Sequence, residues 1–373
     1  MSRSCADHVR NDRLVVCVGS GGVGKTTTAA TIGLWAAREG RKVLVLTIDP
    51  AKRLANSLGL HEFGNHETRI ELDDCPGELW AMMLDTKTTF NELMKETAPD
   101  EATVERILNN KIYQTMSDTF AGSQEYMAAE KLHDVVTSGR FDLVVLDTPP
   151  VKNALDFFEA PGRLSRFFDR RVIKWFLDPP HKKGGLLGRV VQGTSAMVYS
   201  LLGYVFGNEF LNDLADFLSL FKDMVDDFRE RHEEVQRIFH DRRTTFVTVC
   251  SPTEPSVEVA SFFAEELGRR GYPRGGTIVN QVHRCRDEPL EPGVLLGEDA
   301  NALAGDLAPR TAASLIARLG AAHGRLRQLT RTERTLIHRV QGFNNGFLIE
   351  IPRLEREVHD VNGLLMVATH LFG

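Results

Sequence analysis

A chain of 373 residues is long enough for two domains, or for one large α/β domain carrying an insertion. Its 42% hydrophobic share supports a sizeable core, and its net charge of −6 argues against a nucleic-acid footprint spread over the whole sequence. Five scattered cysteines, none in a C-x-x-C pair, fit a reducing, cytoplasmic setting better than a disulfide framework.

Met1–Asp12 is polar, lacks an apolar core and does not read as a signal peptide. The first predicted element is a strand at Leu14–Val18, which runs into glycines and then a helical pattern from Lys25 to Arg38. A second apolar strand, Lys42–Ile48, stops at Asp49-Pro50, and a third spans Leu79–Leu84. Helical patterns at Phe90–Glu96 and Ser123–Thr137 precede a strand at Leu143–Leu146. Beyond residue 243 the order is strand Thr245–Cys250, helix Ser256–Arg270, strand Thr277–Val279, helix Ala312–Arg339, strand Phe347–Ile351 and helix Val361–Leu371. Strands that are continuous apolar runs belong in a parallel sheet covered on both faces. The expected fold is therefore α/β, a doubly wound, mostly parallel sheet with a helical insertion.

That insertion is placed at 162–243, between a first segment of the sheet domain at 1–161 and a second at 244–373, because Gly162–His240 shows only helical periodicity. A turn-rich break, Asp178–Gly185, divides it. Val190–Asn208 runs without a charge, but Gln192, Thr194, Ser195, Ser200 and three glycines interrupt it, so no integral membrane span is read. Its apolar residues recur every three or four positions, through Met197, Leu201, Phe206 and Phe210 to Phe239. Burial within the helical subdomain or a dimer interface is the plain reading; a groove for an apolar helix and direct membrane contact stand beside it. The arginines of Arg163–Lys174 and of Arg318–Arg339 read as solvated helix faces.

Gly19, Ser20, Gly21, Gly22, Val23, Gly24, Lys25 and Thr26 satisfy G-x-x-x-x-G-K-[ST], after a strand and opening a helix. Glycines let the backbone wrap until its N–H groups face phosphate oxygens, and the helix start adds the positive end of its dipole. Lys25 is placed for the β- and γ-phosphates, the Thr26 hydroxyl for Mg²⁺ and Thr27 for the α-phosphate. Asp147, at the end of Phe141–Asp147, is the carboxylate expected to serve Mg²⁺ through a water. Asp49 ends its strand in the same manner and could orient the attacking water. An ordinary turn-capping role is the competing reading for both aspartates.

Taken together, Gly21–Thr28, Thr47-Ile-Asp-Pro-Ala51, Asp147-Thr-Pro-Pro150 and Ile278-Val-Asn-Gln281 resemble the ArsA-type anion-transporting ATPases, a family that includes the tail-anchored-protein-targeting ATPases. The resemblance extends over nearly the whole chain, to Ile351–Val358. It implies ATP and Mg²⁺ as ligands, with Asp49 in switch I, Asp147 opening switch II, Asn280 on adenine and Pro352–Val358 lining the base and ribose. It also implies a dimer, with itself or a paralogue, and an apolar-helix protein as client. The sequence departs from that pattern at Ser20, where the family usually carries a lysine reaching across the dimer. A paralogue, or Lys52, Arg53 or Lys152, is expected to supply that charge. It departs again after Asp147-Thr-Pro-Pro150, where Val-Lys-Asn-Ala154 follows, a version similar to a bacterial branch of the family. Cys17 and Cys250 are expected to be small buried hydrophobes and Cys5 and Cys75 to lie in polar segments; His283-Arg-Cys285 is too sparse for a metalloid or zinc site. The leading expectation is ATP hydrolysis driving a dimeric switch. An ATP-gated binding module needing a lysine-bearing partner is the alternative, and a positioning ATPase on DNA or membrane is disfavoured by the acidic balance.

Overall fold

The molecule is described by a computed structural model over residues 3–48, 53–58, 64–98, 100–110, 124–149, 225–285 and 309–373, with isolated positions between 207 and 219. The strands are β1 (Leu14–Gly19), β2 (Lys42–Thr47), β3 (Thr68–Ile70), β4 (Glu78–Met83), β5 (Leu143–Asp147), β6 (Thr244–Cys250), β7 (Arg274–Val282) and β8 (Phe347–Pro352). They form one eight-stranded sheet in the order β3-β4-β2-β5-β1-β6-β7-β8. Every pairing is parallel except β3 with β4. The apolar runs behave as their composition demands: in β1, Leu14, Val16 and Val18 enter one core while Val15 and Cys17 enter the other, all essentially buried.

Helix α2 (Lys25–Arg38) and helix α10 (Val361–Phe372) cover one face, with Trp35 stacked on Phe372 at 4.1 Å between ring centroids. The opposite face is covered by α4 (Thr86–Thr97), α6 (Gln124–Thr137) and α7 (Val225–His240), whose Phe239 meets Phe246 of β6 edge-on. Two more helices, α8 (Glu254–Arg270) and α9 (Pro309–Phe343), flank β6 and β7. Short helices α1 (Cys5–Asn11), α3 (Arg53–Ser57) and α5 (Glu101–Asn109) complete the described elements. No helix among the described residues is long and apolar enough to cross a membrane.

Three features differ from the sequence reading. β3 and α5 went unread because each is too short or too polar to show a period. β7 and α9 run longer than Thr277–Val279 and Ala312–Arg339. The polar N-terminal stretch is helix α1 (Cys5–Asn11), and Cys5 is buried rather than set in a polar surface. Ser4 caps α1 by accepting from the Asp7 amide, while the Asp7 carboxylate accepts from the Ser4 amide at 2.9 Å, a reciprocal box that satisfies two orphan donors. Of the 162–243 insertion, the structure describes α7 and scattered positions; the far end of the apolar stripe, Val235 and Phe239, is buried in the core, while its stretch from Val190 to Phe206, the Arg163–Lys174 segment and the Asp178–Gly185 break lie outside the described residues.

Helix α1 is fastened to the sheet through Asp12, which is fully buried. Arg3 donates to its Oδ1 at 2.8 Å, Thr245 donates to its Oδ2 at 2.5 Å, and His8 Nδ1 lies 2.8 Å away. Burial pushes the Asp12 carboxyl up, but the bonds from His8, Thr245 and Arg3 outweigh it and hold the carboxyl below its ordinary value. A carboxyl depressed by folding stabilises the protein above its unfolded pKa of about 3.9, and that contribution disappears as pH falls through the folded value. Asp12→Asn should therefore cost about 1–3 kcal/mol near neutral pH and flatten the acid limb of stability. Thermal melts of both proteins from neutral pH downward check this; parallel acid limbs would contradict it.

Candidate nucleotide site

β1 is the strand at which connections diverge, toward β2 and β4 on one side and β6 to β8 on the other. In open parallel sheets the crevice at the carboxyl ends of such strands is where ligands sit. The glycine loop leaves β1 there under close constraint. A Cβ on Gly19 would stand 2.0 Å from the Val249 carbonyl of β6, so no larger residue fits. Gly24 caps α2 in the left-handed region, at φ +91°.

Lys25, the first residue of α2, is buried and donates from Nζ to the Ser20 carbonyl at 2.8 Å. Thr26 donates its hydroxyl to Asp147 Oδ2 at 2.7 Å. Thr47, directly opposite Asp147 in the β2–β5 register, donates to the same oxygen at 2.9 Å. The loop, β2 and β5 therefore meet on one buried carboxylate. Thr148 turns the chain beyond it by donating to the Cys17 carbonyl at 2.7 Å.

The far side of the crevice comes from β7. Asn280 donates from Nδ2 to the Val23 carbonyl at 2.9 Å, and its Oδ1 accepts from the Gln281 amide at 2.9 Å. Gln281 itself takes a left-handed conformation, φ 64°. One amide hydrogen and one lone pair of Asn280 remain for a ligand edge. Between these walls and the loop Pro352–His359 lies a cavity of about 780 Å³, lined by Gly22, Gly24, Lys25, Thr26, Thr27, Asn280 and Pro352 among the residues read from sequence. Asp147 and Val23 sit behind that lining, buried. Asn56, Ser57, Thr148, Gln281, Arg353 and Arg356 also face the cavity.

Asp49, Lys52 and Lys152, the sequence's candidates for water activation and for an added cation, lie outside the described residues, as does the Arg53 side chain. Ser20 is tied down: its hydroxyl lies 3.0 Å from that of Ser256, which also accepts from the Ser251 amide at 3.0 Å. Thr47 and Gln281 stand in the motifs quoted from the sequence but carry no role there, and Ser256 leaves no signal in the sequence. Cys17 and Cys250 are buried, as expected. Burial, then the neighbouring Asp147 charge, pushes Cys17 well above the ordinary thiol range, and burial pushes Cys250 up to about 12. Among the described residues no group of three or more His, Cys, Asp or Glu side chains could hold a metal ion.

Gly24→Ala tests how tightly the loop is built. An alanine would strain the left-handed φ and set its Cβ 2.3 Å from Asn280 Nδ2, breaking the bond to Val23. Nucleotide affinity should fall about tenfold or more, equivalent to at least about 1.4 kcal/mol. Titration with a fluorescent ATP analogue measures it, and unchanged affinity would show that the loop adapts.

A parallel doubly wound sheet, a glycine loop closing on a helix start and a strand-end carboxylate beside the loop threonine together define a P-loop NTPase. The chain belongs to the anion-transporting ATPase family, whose family model matches residues 12–289, and it is an ATPase of the nucleotide-binding P-loop class. It is similar to ATPase get3 of Neurospora crassa, 26% identical over 274 residues covering 73% of this chain and 74% of that protein. An ATPase ASNA1 homolog of Babesia bovis is 29% identical over 266 residues, covering 71% of this chain and 64% of its own length. The corresponding Plasmodium berghei protein is 25% identical over 265 residues, 71% of this chain and 61% of its own.

Proposed function

We propose that the chain binds Mg-ATP in the cavity beside α2 and hydrolyses it, using the cycle to switch between conformations of a dimer. The observation that carries this reading is the contact of Thr26 with Asp147 at 2.7 Å, next to the buried ammonium of Lys25. A hydroxyl and a carboxylate are hard oxygen donors, the set that suits Mg²⁺. Thr26, with Asp147 acting through water, would hold the ion, which when bound would neutralise phosphate charge. The loop amides and Lys25 hold the β- and γ-phosphates, with Lys25 exchanging the Ser20 carbonyl for phosphate oxygen, and Thr27 serves the α-phosphate. Asp49, two residues beyond Thr47, orients the attacking water. Asn280 takes the adenine edge, and Pro352–Val358 covers base and ribose.

The same reading assigns 162–243 as a helical subdomain, inserted between 1–161 and 244–373, that receives the conformational change and offers a surface to an apolar-helix client. Support comes from its return helix α7. Arg231 on α7 donates to Asp134 of α6 at 2.8 Å and to Glu96 of α4 at 3.0 Å, so motion of either helix reaches the insertion. We place the protein in the cytoplasm, as a homodimer or paired with a paralogue. The test is Mg-ATP turnover by the purified chain, with light scattering in ATP and in ADP. Turnover with a nucleotide-dependent change of mass supports the switch; turnover by a constant monomer removes the dimer from it.

Ser20 favours a second reading, an ATP-gated binding module with little turnover of its own. Its hydroxyl is engaged with Ser256 of the same chain and offers no cation to a partner. Ser20→Lys should raise turnover if the missing charge limits the rate. Unchanged turnover in a homodimer that is already active would sink that reading.

A further inference from the structure

α9 is 35 residues long, about 52 Å at 1.5 Å per residue, and carries seven arginines against a single acid, Glu333. Its apolar residues recur at alternating steps of four and three. Leu315, Leu319, Ala322, Leu326 and Leu329 begin the seam, which continues through Glu333, Leu336 and Val340. That is the heptad spacing of a helix that packs against another helix.

The two halves of the seam meet different surroundings. The second half is buried: Leu336 and Val340 pack with Val257 and Ala260 of α8, and Glu333 accepts from the His283 amide at 2.9 Å. The first half is open, with Leu315 43%, Leu319 44% and Leu329 42% exposed. Arginines recur beside the seam at the same heptad position, as Arg318, Arg325 and Arg339. Arg339, in the covered half, pairs with Glu254 of α8, the helix that does the covering. Arg318 and Arg325, in the open half, have no ion-pair partner among the described residues.

We propose that residues 315–329 of α9 form a docking strip for an acidic amphipathic helix of a partner protein, seated there as α8 is seated on the lower half. The covered half supplies the pattern: a short aliphatic ridge enters the seam, and a glutamate meets the flanking arginine. A second copy of α9 fits poorly. Its flanking positions hold the same arginines on one side, and Ile316, His323 and Thr330 on the other, with no acid to meet Arg318 or Arg325. Flanking charge of one sign selects partners of the other and excludes like-charged ones.

The test uses the full chain and two labelled four-heptad peptides, both with leucine at the seam positions, one flanked by glutamate and the other by lysine. Fluorescence anisotropy should show binding of the acidic peptide, weakening as salt rises, and at least about tenfold weaker binding of the basic one. The double variant Arg318→Glu, Arg325→Glu should reverse that preference with ATP turnover and circular dichroism unchanged, and Leu319→Asp should abolish binding of either peptide. Equal binding of both peptides, or a preference that survives the charge reversal, would overturn the proposal. So would a peptide-free dimer dissolved by Leu319→Asp, which points to a second copy. Sedimentation with anionic phosphatidylglycerol vesicles but no peptide preference would overturn it in favour of a membrane surface.

Discussion

Lys25→Ala should lower steady-state ATP turnover by about 10²–10³-fold, the cost of removing one preorganised charge from a site that develops negative charge. The ammonium is buried beside the loop, so its charge acts with little water to screen it. Stability should change far less, because the bond from Nζ to the Ser20 carbonyl contributes only about 1–3 kcal/mol. Turnover by a coupled phosphate assay and unfolding by calorimetry separate the two effects. A variant that melts with the wild type yet no longer turns over assigns Lys25 to the reaction. Near-normal turnover would move the phosphate-binding cation elsewhere, to Arg353 or Arg356 on the opposite wall of the cavity.

Asp147→Asn is the second substitution with a large expected effect. The carboxylate is buried, accepts both the Thr26 and Thr47 hydroxyls on Oδ2, and is the proposed magnesium acid. An amide keeps the shape and can still accept both hydroxyls through its oxygen, but it brings no charge to a cation. We expect turnover to fall about 10²-fold or more, and the melting temperature to hold or rise, since a buried charge is expensive and its neutral isostere is not. Raising magnesium should restore part of the lost nucleotide affinity, which a purely structural role would not allow. Loss of folding together with loss of turnover would instead make Asp147 a structural tie.

The nucleotide end of the molecule was legible because its constraints are local. Gly19 and Gly24 are dictated by approaches of about two ångströms to Val249 and Asn280, and no other residue satisfies both the contact and the backbone angle. Leu14–Val18 and Leu143–Leu146 read as strands because both of their faces are buried. The roles that the sequence does not reveal depend on distant pairing. Thr47 matters because β2 lies beside β5, and Ser256 because α8 starts opposite the loop; neither adjacency has a sequence period. α1 was missed for the opposite reason, since its buried face is two residues, Cys5 and Val9, too few to form a stripe. The arginines of α9 were read as a solvated face, which holds for the polar flank and overlooks the leucine seam between them.

The strand order also sets a timetable for synthesis. β1 pairs only with β5 and β6, so its backbone groups wait until Leu143–Asp147 has been made, and the second partner comes at Thr244–Cys250. At typical elongation rates the first wait is on the order of ten seconds, during which a six-residue apolar strand has no sheet to join. Parallel pairing over such separations folds slowly and exposes edges meanwhile. The nascent chain should therefore be a substrate for ribosome-associated chaperones until β5 emerges, and slowing translation before that point should lower the soluble yield more than slowing it afterwards.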